Sequence, residues 1–187
     1  MNNTKIKSVL ISVFNKDGLD ELCKIFFQHK IKIFSTGGTE KYIKNLNIPV
    51  KSVESVTGYP SILGGRVKTL HPKIFGSILS RNNNKEDQID ILKHEVPKID
   101  MVIVDLYPFS ETVKSSDDEN EIIEKIDIGG VSLIRAGAKN FSDIIIVSQK
   151  KQYGSVIKYL KKNNFSSEIT FRKKLAFEAF NLISQYD

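Results

Sequence analysis

Tryptophan is absent from the 187 residues, and only one cysteine, two methionines and five prolines occur. The single thiol, Cys23, excludes an internal disulfide framework and a zinc site built from several cysteines. So little proline and glycine rules out a collagen-like or low-complexity chain. No apolar run approaches the roughly 20 residues that a membrane-spanning helix needs. The opening Met1-Asn-Asn-Thr-Lys-Ile-Lys7 leads straight into Val9-Leu-Ile-Ser-Val13 and has no signal-peptide core. These absences predict a cytoplasmic globular protein that keeps its thiol reduced and has no membrane partner.

Apolar residues make up 40% of the chain and charged residues 27%, enough to bury a sizeable core. The net charge of +6 is concentrated in residues 150–187, with eight cationic against three acidic side chains. Most of the cations are Lys in a chain also heavy in Ile and Asn, a pattern that base composition explains, so no nucleic-acid partner is expected. Apolar runs alternate with amphipathic stretches. Val9–Phe14, Ile31–Phe34, Pro49–Val53, Ile99–Leu106 and Ile144–Val147 read as strands. Helical spacing covers 17–29, 39–46, 119–126, 131–139, 150–162 and 170–186. Residues 55–73 form a long irregular loop, which in a compact domain is usually functional. Near-continuous apolar strands separated by helices predict one α/β domain over 1–187, a three-layer sandwich around a mostly parallel sheet.

Ligands in such sheets bind beyond the carboxyl ends of the strands. There the sequence places Ser12-Val-Phe-Asn-Lys16 and Ser35-Thr-Gly-Gly-Thr39, hydroxyls, a lysine and freed backbone N–H groups that suit a phosphate. The simpler alternative is a pair of ordinary helix caps around a tight turn. Neither loop is a Walker A or dinucleotide fingerprint. Gly64-Gly-Arg-Val-Lys-Thr-Leu-His-Pro72 concentrates Arg66, Lys68, Thr69 and His71 in an irregular segment, which suits an anionic ligand. Asp105-Leu-Tyr-Pro-Phe109 follows the strongest strand. Asp127 and Lys139 flank a Gly-Gly turn and a short helix, and bringing them into one cleft would make a proton-transfer pair.

In that order, these motifs together with Asp127-Ile-Gly-Gly130 and Lys139-Asn140 resemble the IMP cyclohydrolase domain. In that family it is the first half of the bifunctional AICAR transformylase/IMP cyclohydrolase. The resemblance runs from about Lys7 to Tyr186. It implies a methylglyoxal-synthase-like fold and closure of the purine ring of 5-formamidoimidazole-4-carboxamide ribotide (FAICAR) to IMP and water. It further implies a homodimer and no cofactor or metal for cyclisation, with 10-formyltetrahydrofolate serving only the transformylase half, which is expected to be absent from this chain.

Carried over by position, Ser12, Lys16, Thr36, Gly37, Gly38 and Thr39 would hold the 5′-phosphate. Arg66, Thr69, His71, Asp105, Leu106, Ile128 and Gly129 would line the substrate. Lys68, Tyr107, Asp127 and Lys139 would share catalysis, with Lys68 donating to the formyl oxygen and Asp127 and Lys139 moving protons. Two positions depart from the family pattern. Phe14 replaces a second serine in the first loop, and Asp105 stands where asparagine is usual. The alternative function is a non-catalytic nucleotide-sensing module on the same fold, which would need the phosphate loops but not Asp127 and Lys139.

Overall fold

The computed structural model describes residues 3–187. Met1 and Asn2, which open the N-terminal segment considered above, lie outside the described residues. The strands are β1 (Thr4–Lys5), β2 (Ser8–Ser12), β3 (Lys32–Ser35), β4 (Lys51–Ser52), β5 (Met101–Val104), β6 (Ile145–Val147) and β7 (Ser166–Ser167). The helices are α1 (Leu19–Gln28), α2 (Gly37–Asn45), α3 (Val53–Thr57), α4 (Pro72–Leu79), α5 (Lys85–Lys93), α6 (Phe109–Ser115), α7 (Glu119–Ile123), α8 (Ile128–Lys139), α9 (Tyr153–Lys162) and α10 (Ile169–Tyr186).

Five strands form one parallel sheet in the order β4-β3-β2-β5-β6, while β1 and β7 make a small antiparallel ribbon. Every residue of β5 and β6 is buried, as are Ser8–Ile11 of β2. Burial on both faces is why these segments read as unbroken apolar runs rather than alternating ones. The chain enters at β2, winds outward through β3 and β4, then returns to β5 and winds the other way to β6. Right-handed crossovers running in opposite directions put α1 and α2 on one face and α8 on the other. On that second face α8 packs against β5 and β6, and α10 lies over α8 and β6. The three-layer sandwich is therefore present, and its winding reverses between β2 and β5. Such a reversal leaves a crevice at the strands' carboxyl ends.

Two buried charges tie the frame together. The Asp100 carboxylate, 1% exposed, accepts the N–H groups of Lys7 (2.9 Å) and Ser8 (3.0 Å) and the Ser8 hydroxyl (3.0 Å), joining the starts of β2 and β5. Arg172 of α10 is fully buried and donates to the carbonyls of Phe141 (2.8 Å), Ser142 (2.8 Å) and Ser167. Among the described residues no helix is long and apolar enough to cross a membrane.

Several local expectations need correction. Helix α2 begins at Gly37 instead of residue 39, with Thr36 as its N-cap. Gly129 and Gly130 do not make a turn ahead of a helix; they are the first turn of α8 itself. The segment 55–73 holds the end of α3, a 3-10 turn at Leu63–Gly65 and an isolated bridge between Ile62 and Val67. Helices α3, α4, α5 and α6 are not announced by apolar periodicity. Helix α5 buries no residue, so its apolar stripe is weak. Helix α4 is announced instead by Pro72 at its first turn behind the capping His71.

Candidate active site

A cleft of about 690 Å³ opens where the winding reverses. Fourteen of the seventeen residues expected at the site line it: Ser12, Lys16, Thr36, Gly37, Gly38, Thr39, Arg66, Lys68, Thr69, Asp105, Tyr107, Asp127, Ile128 and Gly129. Ser12 closes β2, Thr36 follows β3 and Asp105 follows β5, so three neighbouring strand ends supply the floor.

One wall is cationic. No side chain caps the first turn of α2, whose backbone N–H groups carry the positive end of the helix dipole. The Thr36 hydroxyl turns away from capping and donates to Glu54 Oε1 (3.0 Å). The Thr39 hydroxyl donates to the Val13 carbonyl (2.8 Å) and accepts the Val13 N–H (3.2 Å), so it bolts α2 to the end of β2. Lys16 Nζ donates to the carbonyls of Val13 and Phe14 (2.9 Å to the latter). Burial pushes the Lys16 ammonium below its ordinary pKa, and the charge of Asp105 works against that. Lys68 lies in a groove between two glycines of positive φ, Gly37 (+55°) and Gly65 (+99°). A Cβ on Gly65 would stand 2.8 Å from Lys68 Cε, and one on Gly37 3.3 Å from Nζ. The Gly-Gly pair therefore lets Lys68 approach the backbone. Arg66 pairs with Glu124 at the rim, where both are exposed and the pair adds little to stability.

Two carboxyls also line the cleft, Asp105 at its floor beside Lys16 and Asp127 at the start of α8. Asp127 is the N-cap of α8 and accepts the Gly130 N–H at 2.6 Å. Burial raises its pKa above the ordinary carboxylate range, opposed by hydrogen bonds from the backbone N–H groups of Gly130 and Tyr107. Asp105 accepts the N–H groups of Phe14 and Asn15 (3.0 Å to the latter). Its pKa is also raised by burial, against those two bonds and the charge of Lys16. Two backbone donors suit a carboxylate, which accepts at both oxygens, better than an asparagine with one acceptor. Tyr107 is held above its ordinary pKa by burial and by Asp127. Its ring meets Phe14 edge-to-face at 5.5 Å, and Lys125 Nζ stands 6.0 Å from its centroid.

Three expected residues lie elsewhere. Lys139 is exposed at the last residue of α8, while Asp127 caps its start. Twelve residues of helix separate their backbones by about 18 Å. The two do not share a cleft within one chain, because the intervening glycines are helical and cannot fold the chain back. His71 caps α4, its Nδ1 accepting the Lys73 N–H at 3.1 Å, and it borders a smaller neighbouring cleft with Tyr59 and Ile62. The Leu106 side chain packs on the core. Gly65, Gly130, Glu124 and Tyr186 all shape the site and none was expected there. The glycines were visible in their motifs, whereas Tyr186 gives no local signal.

Two family models match the chain. That of the MGS-like domain matches residues 18–132, and that of the AICARFT/IMPCHase bienzyme matches residues 137–187. The bifunctional purine biosynthesis protein PurH of Bacteroides thetaiotaomicron is 52% identical over 183 residues, covering 98% of this chain and 36% of that protein. PurH of Clostridium perfringens (strain SM101) is 47% identical over 181 residues, covering 97% of this chain and 36% of that protein. The chain thus spans about a third of the length of these relatives. The crystal structure of ForH superposes with a TM-score of 0.82 at 27% identity, over 96% of this chain and 92% of that one. With that match over residues 18–132, and the sheet order and cleft described above, the chain belongs to the MGS-like domain family.

Proposed function

We propose that this cleft closes the purine ring of FAICAR to give IMP and water. The observation that carries the proposal is the cleft's mixed lining. Lys16, Lys68, Arg66 and an uncapped helix start share it with two carboxyls whose pKa is raised by burial. A ribotide presents the matching groups, a phosphate at one end and a carboxamide N–H donor at the other. The names of the relatives, which are bifunctional purine biosynthesis proteins, support the same reading.

A carboxamide nitrogen is a weak nucleophile and a formamide carbonyl a poor electrophile. The site must therefore hold them at near-attack distance and stabilise the charge that develops on the formyl oxygen. The α2 N-terminus, Ser12 and Lys16 take the phosphate, and Thr69 and Arg66 border the base. Lys68 donates to the formyl oxygen. Asp127, made more basic by burial, accepts the carboxamide proton as the new N–C bond forms. It passes that proton to the former formyl oxygen, and as the C–O bond breaks the formamide nitrogen gives up its own N–H proton to the departing hydroxide, so that water leaves and the C=N bond of the new ring forms. Tyr107 is placed to donate beside it. No electrons change hands, and no cofactor is proposed for this step; 10-formyltetrahydrofolate would belong to formylation alone. A homodimer and a cytoplasmic location belong to the same proposal, the first checked by sedimentation.

The test is an ultraviolet time course of FAICAR conversion by the chain and by Asp127→Asn. Conversion above the spontaneous background is expected, falling by at least about a hundredfold in the variant. Tight ribotide binding without turnover would favour the nucleotide-sensing module, and turnover of dihydroxyacetone phosphate a lyase.

A further inference from the structure

Helix α10 reaches the cleft only at its end. Its buried stripe, Arg172, Leu175, Ala176, Ala179 and Ile183, seats it against α8 and β6 along most of its length. One turn segment after Ile183, the half-buried Tyr186 extends its ring beside Phe109, with centroids 6.5 Å apart. Its hydroxyl accepts the Asp127 N–H (3.2 Å) and donates to the Lys125 carbonyl (3.0 Å). Both partners lie in the short connection between α7 and α8, whose first half is held by turn bonds from the N–H groups of Lys125 and Ile126 to the carbonyls of Ile122 and Ile123 (3.0 Å each), while the Asp127 N–H goes to Tyr186.

That connection is what aims the cleft's carboxyl. Asp127 accepts from Gly130 at 2.6 Å and from the Tyr107 backbone, and the Lys125 ammonium stands over the Tyr107 ring. Tyr186 is not among the residues that line the cleft. We propose that Tyr186 is a positioning residue, holding the Lys125–Asp127 segment, and through it the Asp127 carboxylate, in place for proton transfer. Helix α10, seated by its buried stripe, adds a tertiary anchor to the turn bonds of the connection. The kinetic consequence rests on the ring-closure reading; the mechanical one does not.

The test is a double-mutant cycle of Tyr186→Phe and Asp127→Asn in the full chain, with amide exchange alongside. Tyr186→Phe is expected to lower kcat about tenfold, the rate equivalent of about 1.4 kcal/mol. KM should stay within about twofold, since no ligand contact is lost. In the residual turnover of Asp127→Asn, the same substitution should change nothing further, because its effect passes through Asp127. An equal loss in both backgrounds would mean plain destabilisation and overturn the proposal. Independently of activity, the Gly130 amide, which reports the Asp127 cap, should exchange about tenfold faster in Tyr186→Phe. Unchanged exchange also overturns it. A wild-type chain without cyclisation would sink the ring-closure reading, while the Gly130 amide would still decide the role of Tyr186.

Discussion

Gly130→Ala separates the seat of Asp127 from the stability of the fold. A methyl group at Gly130 would stand 2.9 Å from Asp127 Cγ and 3.0 Å from Oδ1, and nearer still to Oδ2, so the carboxylate must swing out of its cap. The helix loses a capping bond worth about 1 kcal/mol. It gains up to about 1 kcal/mol from replacing glycine by alanine within a helix, since Gly130 has no positive φ that would strain the new residue. The two effects cancel to within about 1 kcal/mol, so Tm should move by no more than about 4 °C in a chain of this size. Catalysis has no such compensation. General acid–base help is worth about 10²–10⁴-fold, and displacing its carrier should lower kcat by about a hundredfold. The measurements are the ultraviolet time course and a calorimetric melt of the same preparation. Full turnover in Gly130→Ala would refute the role given to the Asp127 seat. A Tm drop beyond about 10 °C would show that the glycine serves packing instead.

Asp105 and Asp127 both hold their protons more tightly in the folded state, because burial raises their pKa. Each therefore costs stability as pH climbs from the ordinary carboxylate range, about 4, through its raised value. Across that window the Tm of the wild type should decline relative to that of Asp127→Asn, and the acid limb of kcat should lie above the ordinary carboxylate range. A limb at the ordinary value would remove Asp127 as the titrating group. Lys16→Met deletes a half-buried ammonium from the proposed phosphate site, so KM for FAICAR should rise about 30-fold, equivalent to about 2 kcal/mol, with little change in kcat. An unchanged KM would place the phosphate elsewhere. Arg172→Ala leaves the carbonyls of Phe141, Ser142 and Ser167 without their buried donor. It should cost about 3–5 kcal/mol in a urea melt, and a loss under about 1 kcal/mol would contradict that bracing role.

Strands β2, β5 and β6 were legible because burial on both faces removes the polar alternation that usually complicates them, whereas β1 and β7, two residues each, gave no pattern to read. The strand order was not legible, since nothing local in β5 says that it pairs with β2 instead of β4. At the site, the loops after β2 and β3 and the Gly64–Lys68 segment could be read as ligand-binding from glycine and cation spacing. Asp127 and Lys139 were misjudged for a physical reason. Gly129-Gly130 looks like a breaker, yet the Asp127 cap makes helix geometry the better solution from Ile128 onward, carrying Lys139 to the far end. Tyr186 was beyond reach, because its two partners lie 59 and 61 residues back and only tertiary packing brings them together.

The reversal of winding between β2 and β5 also sets the order in which the molecule can assemble. Ser8 and Asp100 meet although they are 92 residues apart, so the central pairing closes the longest loop within the five-stranded sheet. At a synthesis rate of about 5–20 residues per second, β2 waits several seconds for its inner neighbour, with β3 and β4 already available on its other side. During that interval one edge of β2 is open, the state in which sheets recruit the wrong strand. The cationic groups of the cleft, Lys16, Arg66 and Lys68, are thus all synthesised before either of its carboxyls. Ring-closing activity should appear in nascent chains abruptly, once β5 and α8 have emerged, rather than growing with length.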